Sequence, residues 1–247
     1  MKQSHRKNEK EIVGNEIEDS LHVFLKSTFQ NSTKLHPRAH SKLVDRALGY
    51  KIPKIEIKLL RKFSAYDHYV VGTKRKRHYD GAQAWIGLPP QVLQTPYVDI
   101  LEALDFLKTK DIRTIIDIGA GYGRVGLVSS VMFPRANFIG YEVVKERRNE
   151  GERILKKYGL KSATILLQNV LDLDFDMPAA DIYFIYDFSE REDIVEVLLK
   201  IGKNTKFKKI LIAQGDRISA LMSKTFRQTW SKLGFMRRSG LTIYESY

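Results

Sequence analysis

Apolar residues recur at three- and four-residue spacing through Ile17, Leu21, Phe24, Leu25 and Phe29, which predicts a helix over 15–29. The same period predicts helices over 38–48, stopped by Gly49, and over 53–63, whereas residues 1–14 are polar and carry no period. Gly72, Gly81, Gly87 and Pro89-Pro90 then break the pattern, as in a linker or a loop that wraps the next domain. The boundary is placed near Gly81, so that 1–80 form a mostly helical extension and 81–247 the main domain.

From Thr95 the period alternates. Thr95 as N-cap and Pro96 at the first helical position open a helix that buries Tyr97, Ile100, Leu101, Leu104 and Leu107. Strands are predicted over 114–116, 137–141, 163–167, 181–186 and 209–213, with helices over 124–133, from the end of the second strand to Tyr158, and over 193–201. Ile218, Leu221, Met222, Phe226, Trp230 and Leu233 predict a last helix before Gly234, and 241–244 a closing edge strand. Strand and helix at this rhythm specify an α/β fold with a mainly parallel sheet covered on both faces.

Composition narrows the chemistry. With 247 residues, 43% hydrophobic and 29% charged, the chain has room for a large packed core. It holds no cysteine, which removes disulfides, thiolate metal sites and cysteine nucleophiles, and no metal site is predicted. No apolar run approaches the roughly 20 residues of a membrane span, and the N-terminus has no signal-type stretch, so a cytoplasmic protein without membrane contact is expected. The net charge of +13 is uneven, since 18 of the 42 basic but only 9 of the 29 acidic residues lie in 1–80. All six histidines lie there too, leaving the remainder without a histidine base. Lys74-Arg75-Lys76-Arg77, with Arg61-Lys62 upstream, reads either as a phosphate-binding stripe or as a solvated loop.

Asp117-Ile118-Gly119-Ala120-Gly121-Tyr122-Gly123 falls between a buried strand and a helix, at the switch point where open α/β sheets bind ligands. Glycines there let a ligand approach the backbone, and the following helix offers unpaired N–H groups. Gly121 to Gly126 also fits the dinucleotide pattern G-x-G-x-x-G, so a nicotinamide or flavin enzyme is a competing reading. Asp117 separates the two: its carboxylate would repel a pyrophosphate and attract the ammonium of an amino-acid moiety. Glu142, ending the next strand, suits ribose hydroxyls in either case.

These residues resemble the first motif of class I S-adenosylmethionine-dependent methyltransferases, and the resemblance runs in order from Asp117 to Ser189. It implies a Rossmann-like seven-strand sheet over about 95–247, with S-adenosylmethionine as cofactor. Asp117 would face the methionine ammonium, Gly119, Gly121 and Gly123 would make room for the cofactor, and Glu142 would take the ribose. Gln168-Asn169-Val170 resembles the Gly-Asp-Val type segment that meets the adenine, with Asn169 in place of the usual Asp. Tyr186-Asp187-Phe188-Ser189 stands where the family flanks the transferred methyl. A narrower likeness, carried by Leu93-Gln94-Thr95-Pro96-Tyr97 and by 140–147, is to seven-strand protein-lysine methyltransferases, in which the Thr-Pro-Tyr turn closes over the methionine end.

The resemblance thus implies Thr95, Tyr97, Asp117, Gly119, Gly121, Gly123, Glu142, Asn169, Val170 and Asp187 at the cofactor, and Tyr97, Tyr186 and Asp187, with Glu190 nearby, around the methyl. The absence of cysteine excludes carbon-5 pyrimidine methylation through a Cys adduct, and no Asn/Asp-Pro-Pro-aromatic follows the fourth strand, as exocyclic base methylases carry. A protein lysine or other macromolecular amine is the expected acceptor. RNA recruited through the basic region, a small-molecule acceptor, a non-catalytic RNA-binding module and an NAD-dependent oxidoreductase stay open at this point.

Overall fold

The computed structural model describes residues 21–30, 34–62, 78–79, 82–83, 89–187, 189–203 and 208–247. The predicted boundary at Gly81 and the basic run Lys74 to Arg77 lie outside the described residues, as do 15–20 of the first helix. Helix α1 (21–29), α2 (Pro37–Leu48) and α3 (Ile52–Lys62) come first, then a two-residue hairpin, β1 (His78–Tyr79) with β2 (Ala82–Gln83).

The main sheet is built from β3 (Thr114–Ile118), β4 (Asn137–Glu142), β5 (Ala163–Leu167), β6 (Ile182–Tyr186), β7 (Ile210–Gln214), β8 (Trp230–Met236) and β9 (Leu241–Ser246). Its order is β5-β4-β3-β6-β7-β9-β8, with β9 antiparallel to both neighbours and the first five strands parallel. Between the strands run α4 (Tyr97–Asp105), α5 (Arg124–Met132), α6 (Lys145–Lys157), α7 (Arg191–Gly202) and α8 (Asp216–Lys224).

Nearly continuous apolar runs such as Ile182-Tyr183-Phe184-Ile185 suit strands buried on both faces. Alternate residues serve the two layers: Ile115, Ile182, Phe184, Ile210 and Ile212 pack with α4 and α5, while Ile116, Tyr183, Ile185, Leu211 and Ala213 pack with α7 and α8. Leu25, Phe29, Val44, Leu48 and Ile52 belong to the same cluster as Tyr97, Ile100 and Leu104, so α1 to α3 lie on the core rather than apart from it. Burying those five side chains stabilises the docking by about 1.5–3 kcal/mol each before entropy is counted.

Three expectations are corrected. The predicted helix through Leu233 ends at Lys224, and Trp230 opens β8. Phe226, Trp230 and Leu233 mimic a helical stripe, but Leu233 is 38% exposed and the backbone of 230–236 is bonded to β9. Strand β9 is not an edge, because it inserts between β7 and β8, where Leu241, Ile243 and Tyr244 are buried. Thr95 does not cap α4: the N-cap is Pro96, with no side-chain cap bond. No helix among the described residues is long and apolar enough to cross a membrane.

Candidate functional site

The C-terminal ends of β3 and β4 lie side by side, with Asp117 paired to Gly140 and Ile118 to Tyr141. The chain leaving β3 is held against β4 because the N–H groups of Gly119 and Ala120 both donate to the Tyr141 carbonyl at 2.9 Å. Gly121 N–H donates to Glu142 Oε2 at 2.7 Å and Val144 N–H to Oε1 at 2.7 Å, which fixes the Glu142 carboxylate under the loop. Gly119 (φ +78°) and Gly121 (φ +55°) adopt a left-handed backbone that L side chains rarely take. A Cβ on Gly119 would meet nothing within 4 Å and one on Gly121 only Gln94 Cγ at 4.0 Å, so the space beside both is open to a ligand.

That space is a cleft in two chambers. The outer one is lined by Gly119, Gly121, Glu142, Asn169, Val170 and Tyr186, with Leu93 and Gln94. The inner one is lined by Thr95, Asp117, Arg124, Tyr186 and Gln214. Burial, then the nearby Glu142 charge, pushes the Asp117 carboxyl up to about 8, and no cation among the described residues offsets them. Burial also raises Glu142, against Arg147 and the backbone N–H groups that pull it down. A buried acid without a counter-ion beside an open glycine cradle fits a ligand bearing an ammonium. Among the described residues no cluster of His, Asp and Glu is arranged to hold a metal ion.

The other expected residues separate into two groups. Asn169 lines the outer chamber while its Oδ1 accepts from Leu171 N–H at 3.1 Å, and Val170 beside it is buried. Tyr186 lines both chambers, donating its hydroxyl to Val92 O at 3.2 Å. Thr95 lines the inner chamber, with its hydroxyl donated to Gln214 Oε1 at 3.1 Å.

Three residues lie away from the cleft. Tyr97 is fully buried, stacked on Phe29 at 5.1 Å and donating to Asp45 Oδ1 at 3.0 Å. Asp187 turns toward α8, where Arg217 Nε sits 2.9 Å from Oδ1 and 3.0 Å from Oδ2, and Arg217 also approaches Glu190 at 3.8 Å. Gly123 is a packing position: a Cβ there would stand 2.7 Å from Ile165 Cδ1, at φ +78°. Gly123→Ala is therefore expected to destabilise the fold by about 1–2 kcal/mol for the backbone alone, with the Ile165 contact added, read by thermal unfolding.

Sequence reasoning missed two buried ion pairs that hold the loop from the N-terminal side. Arg124, opening α5, forks onto Asp45 of α2 (Nε to Oδ1 3.2 Å, Nη2 to Oδ2 2.5 Å), and also donates to Gln91 Oε1 at 2.8 Å and Thr95 O at 3.3 Å. Glu56 of α3 accepts from Arg147 Nε at 2.8 Å and from the Tyr122 hydroxyl at 2.7 Å, and both Glu56 and Arg147 line the outer chamber. Tyr50 adds a bond from its hydroxyl to Tyr122 O at 2.8 Å. A signal was present: Asp45 and Glu56 stand on the apolar stripes Val44–Leu48 and Ile52–Leu59, where an acid demands a buried partner.

No family model matches the chain, and no curated protein matches it. Among solved structures it is similar to the Escherichia coli protein yhhF, whose name assigns it provisionally to the methyltransferases, at 16% identity and TM-score 0.52 over 60% of this chain and 86% of that one. It is also similar to precorrin-6y C5,15-methyltransferase from Geobacter metallireducens (16% identity, TM-score 0.48, 63% and 90% covered) and to the O-methyltransferase TomG from Streptomyces achromogenes (13%, 0.48, 64% and 82%). The fold is that of the class I S-adenosylmethionine-dependent methyltransferases, with five parallel strands completed by the inserted antiparallel β9.

Proposed function

We propose that the chain is an S-adenosylmethionine-dependent methyltransferase acting on a macromolecule. The observation that carries this is the pair of buried acids, Asp117 and Glu142, ending adjacent parallel strands on either side of the Gly119 and Gly121 cradle. Asp117 holds the ligand's ammonium, Glu142 accepts from the ribose hydroxyls, and Asn169 with Val170 meets the adenine. When bound, the cofactor supplies an electrophilic methyl on a sulfonium. The protein's own task is positioning and exclusion of water, to which Leu93 and Gln94, lining both chambers, contribute. Tyr186 and Gln214, lining the inner chamber, orient the acceptor. A dinucleotide is disfavoured by Asp117 alone, whose carboxylate would oppose a pyrophosphate beside the loop, since Glu142 suits the ribose of either cofactor.

A protein lysine or other macromolecular amine is one acceptor, supported by the likeness of 93–97 and 140–147 to the protein-lysine enzymes. Its weak point is Tyr97, which is buried against Phe29 and Asp45. RNA is the second, and the exposed cations Lys34 and Arg38 on the adjoining cleft favour it. Transfer of labelled methyl from S-adenosylmethionine into cell extract, followed by RNase or protease digestion, tests both. Label lost to RNase is the expected result, label lost to protease assigns the lysine reading, and binding of RNA with no transfer to any fraction contradicts the enzyme in favour of a non-catalytic RNA-binding module.

A further inference from the structure

We infer that the cleft between residues 34–38 and the turn after β8 is the acceptor's entrance, and that it holds the phosphodiester backbone of a nucleic-acid strand while one base reaches Gln214. This deepens the function proposed above and rests on it. The cleft, about 690 Å³, is lined by Lys34, His36, Arg38, Asp99, Gln214 and Arg238. Gln214 also lines the inner chamber beside Asp117, so the two spaces meet at its side chain. Its amide is held there, Oε1 accepting from Thr95 and Nε2 donating to Ser239 O at 2.9 Å.

The charge of this cleft is arranged for an anion. Its one carboxylate, Asp99, is 3% exposed and taken up by Arg238 Nη2 at 3.1 Å, which also reaches Glu102 at 3.3 Å. Lys34 and Arg38 are exposed and have no carboxylate partner among the described residues. Helix α2 points its N-terminus into the same space, with His36 Nδ1 accepting from Arg38 N–H and no acidic residue in the first turn, so its dipole adds to the cations. Lys34 has φ +53°, a conformation a non-glycine residue holds only when its surroundings impose it. Arg38 is near enough to Tyr186 for its charge to oppose the rise that burial imposes on that phenol, which links the cations to the methyl end of the cleft. A lysine ammonium entering here would meet like charge, whereas successive phosphates would meet Lys34, His36 and Arg38 in turn.

The test is fluorescence anisotropy of labelled 12-nucleotide single strands of RNA and of DNA, with the full chain saturated in S-adenosylhomocysteine, from 50 to 200 mM KCl. The double substitution Lys34→Ala with Arg38→Ala is expected to weaken strand binding about tenfold and to lower the salt slope by about 1.4, since each phosphate contact on a single strand contributes about 0.7. Both side chains are exposed, so the fold should hold, and calorimetry should give an unchanged affinity for S-adenosylhomocysteine. A preference between the two strands then names the polynucleotide. The inference is overturned by an unchanged slope, by a slope that falls only when Lys74 to Arg77 are changed to Ala, or by equal binding of a polyglutamate peptide. Failure of S-adenosylhomocysteine itself to bind would sink the methyltransferase reading instead.

Discussion

Asp117→Asn is expected to weaken S-adenosylhomocysteine binding roughly a hundredfold while making the unliganded protein more stable at pH 8. The two effects have one origin. In the empty fold the buried carboxyl is pushed up to about 8, against an ordinary value of 3.8, by burial and then by Glu142. Between those values the unfolded chain has released the proton and the fold retains it, so folding stability contributed by this group falls as pH rises from about 4 to about 8. Asparagine has nothing to ionise and lacks that fall. Bound ligand reverses the preference, because an ammonium beside Asp117 favours the charged form, and losing such a buried pairing costs about 3 kcal/mol. Thermal unfolding at pH 6 and pH 8, paired with calorimetry, measures both. A variant that binds within threefold of wild type would remove Asp117 from the ammonium site.

Arg124→Ala is expected to lower stability by about 3–5 kcal/mol, about 6–20 °C in Tm for a chain of this size, because it leaves the Asp45 carboxylate buried without its counter-charge, held only by hydrogen bonds from Tyr97 and Gln91. Both partners are nearly inaccessible, at 3% and 7% side-chain exposure. Asp45→Ala should be comparably destabilising, since the guanidinium would keep Gln91, Thr95 O and the Tyr97 ring but no counter-charge. Replacing both, Asp45→Leu with Arg124→Met, should recover much of the loss, as apolar substitutes of similar volume often do for buried ion pairs. Two single variants that sum to the double in a mutant cycle would mean that the pair does not couple. Because Arg124 opens the helix behind the glycine loop, the singles should also reduce ligand affinity, while the double should restore it in part.

The glycine loop and the two acids were legible because the signal is local: a short apolar strand, Asp117, alternate glycines and a helix all lie within 114–126, and Glu142 ends the next strand. Parallel strands were legible from their unbroken apolar runs, and the end of α2 from Gly49. Residues whose role depends on distant partners were not. Tyr97 follows a Thr-Pro turn like a cofactor-covering residue, yet Phe29 and Asp45, brought in by α1 and α2, claim both its ring and its hydroxyl. Asp187 follows the right strand, but Arg217 of α8 draws its carboxylate aside. The stripe from Ile218 to Leu233 kept a helical period across a helix, a turn and a strand, and only the ladder with β9 tells them apart. The partnership of Asp45 with Arg124 spans 79 residues and that of Glu56 with Arg147 spans 91, a separation at which one sequence carries no pairing signal.

In the proposed site Asp117 and Glu142 bracket the amino-acid and ribose ends of S-adenosylmethionine. Isothermal calorimetry of S-adenosylhomocysteine from pH 5.5 to 7.5, in buffers of different ionisation enthalpy, tests it most directly. Saturable binding is expected, with about one proton released per ligand and affinity that rises toward tenfold per pH unit as Asp117 is drawn into its charged form. No binding, or binding with neither proton release nor pH dependence while NAD binds tightly, would contradict it.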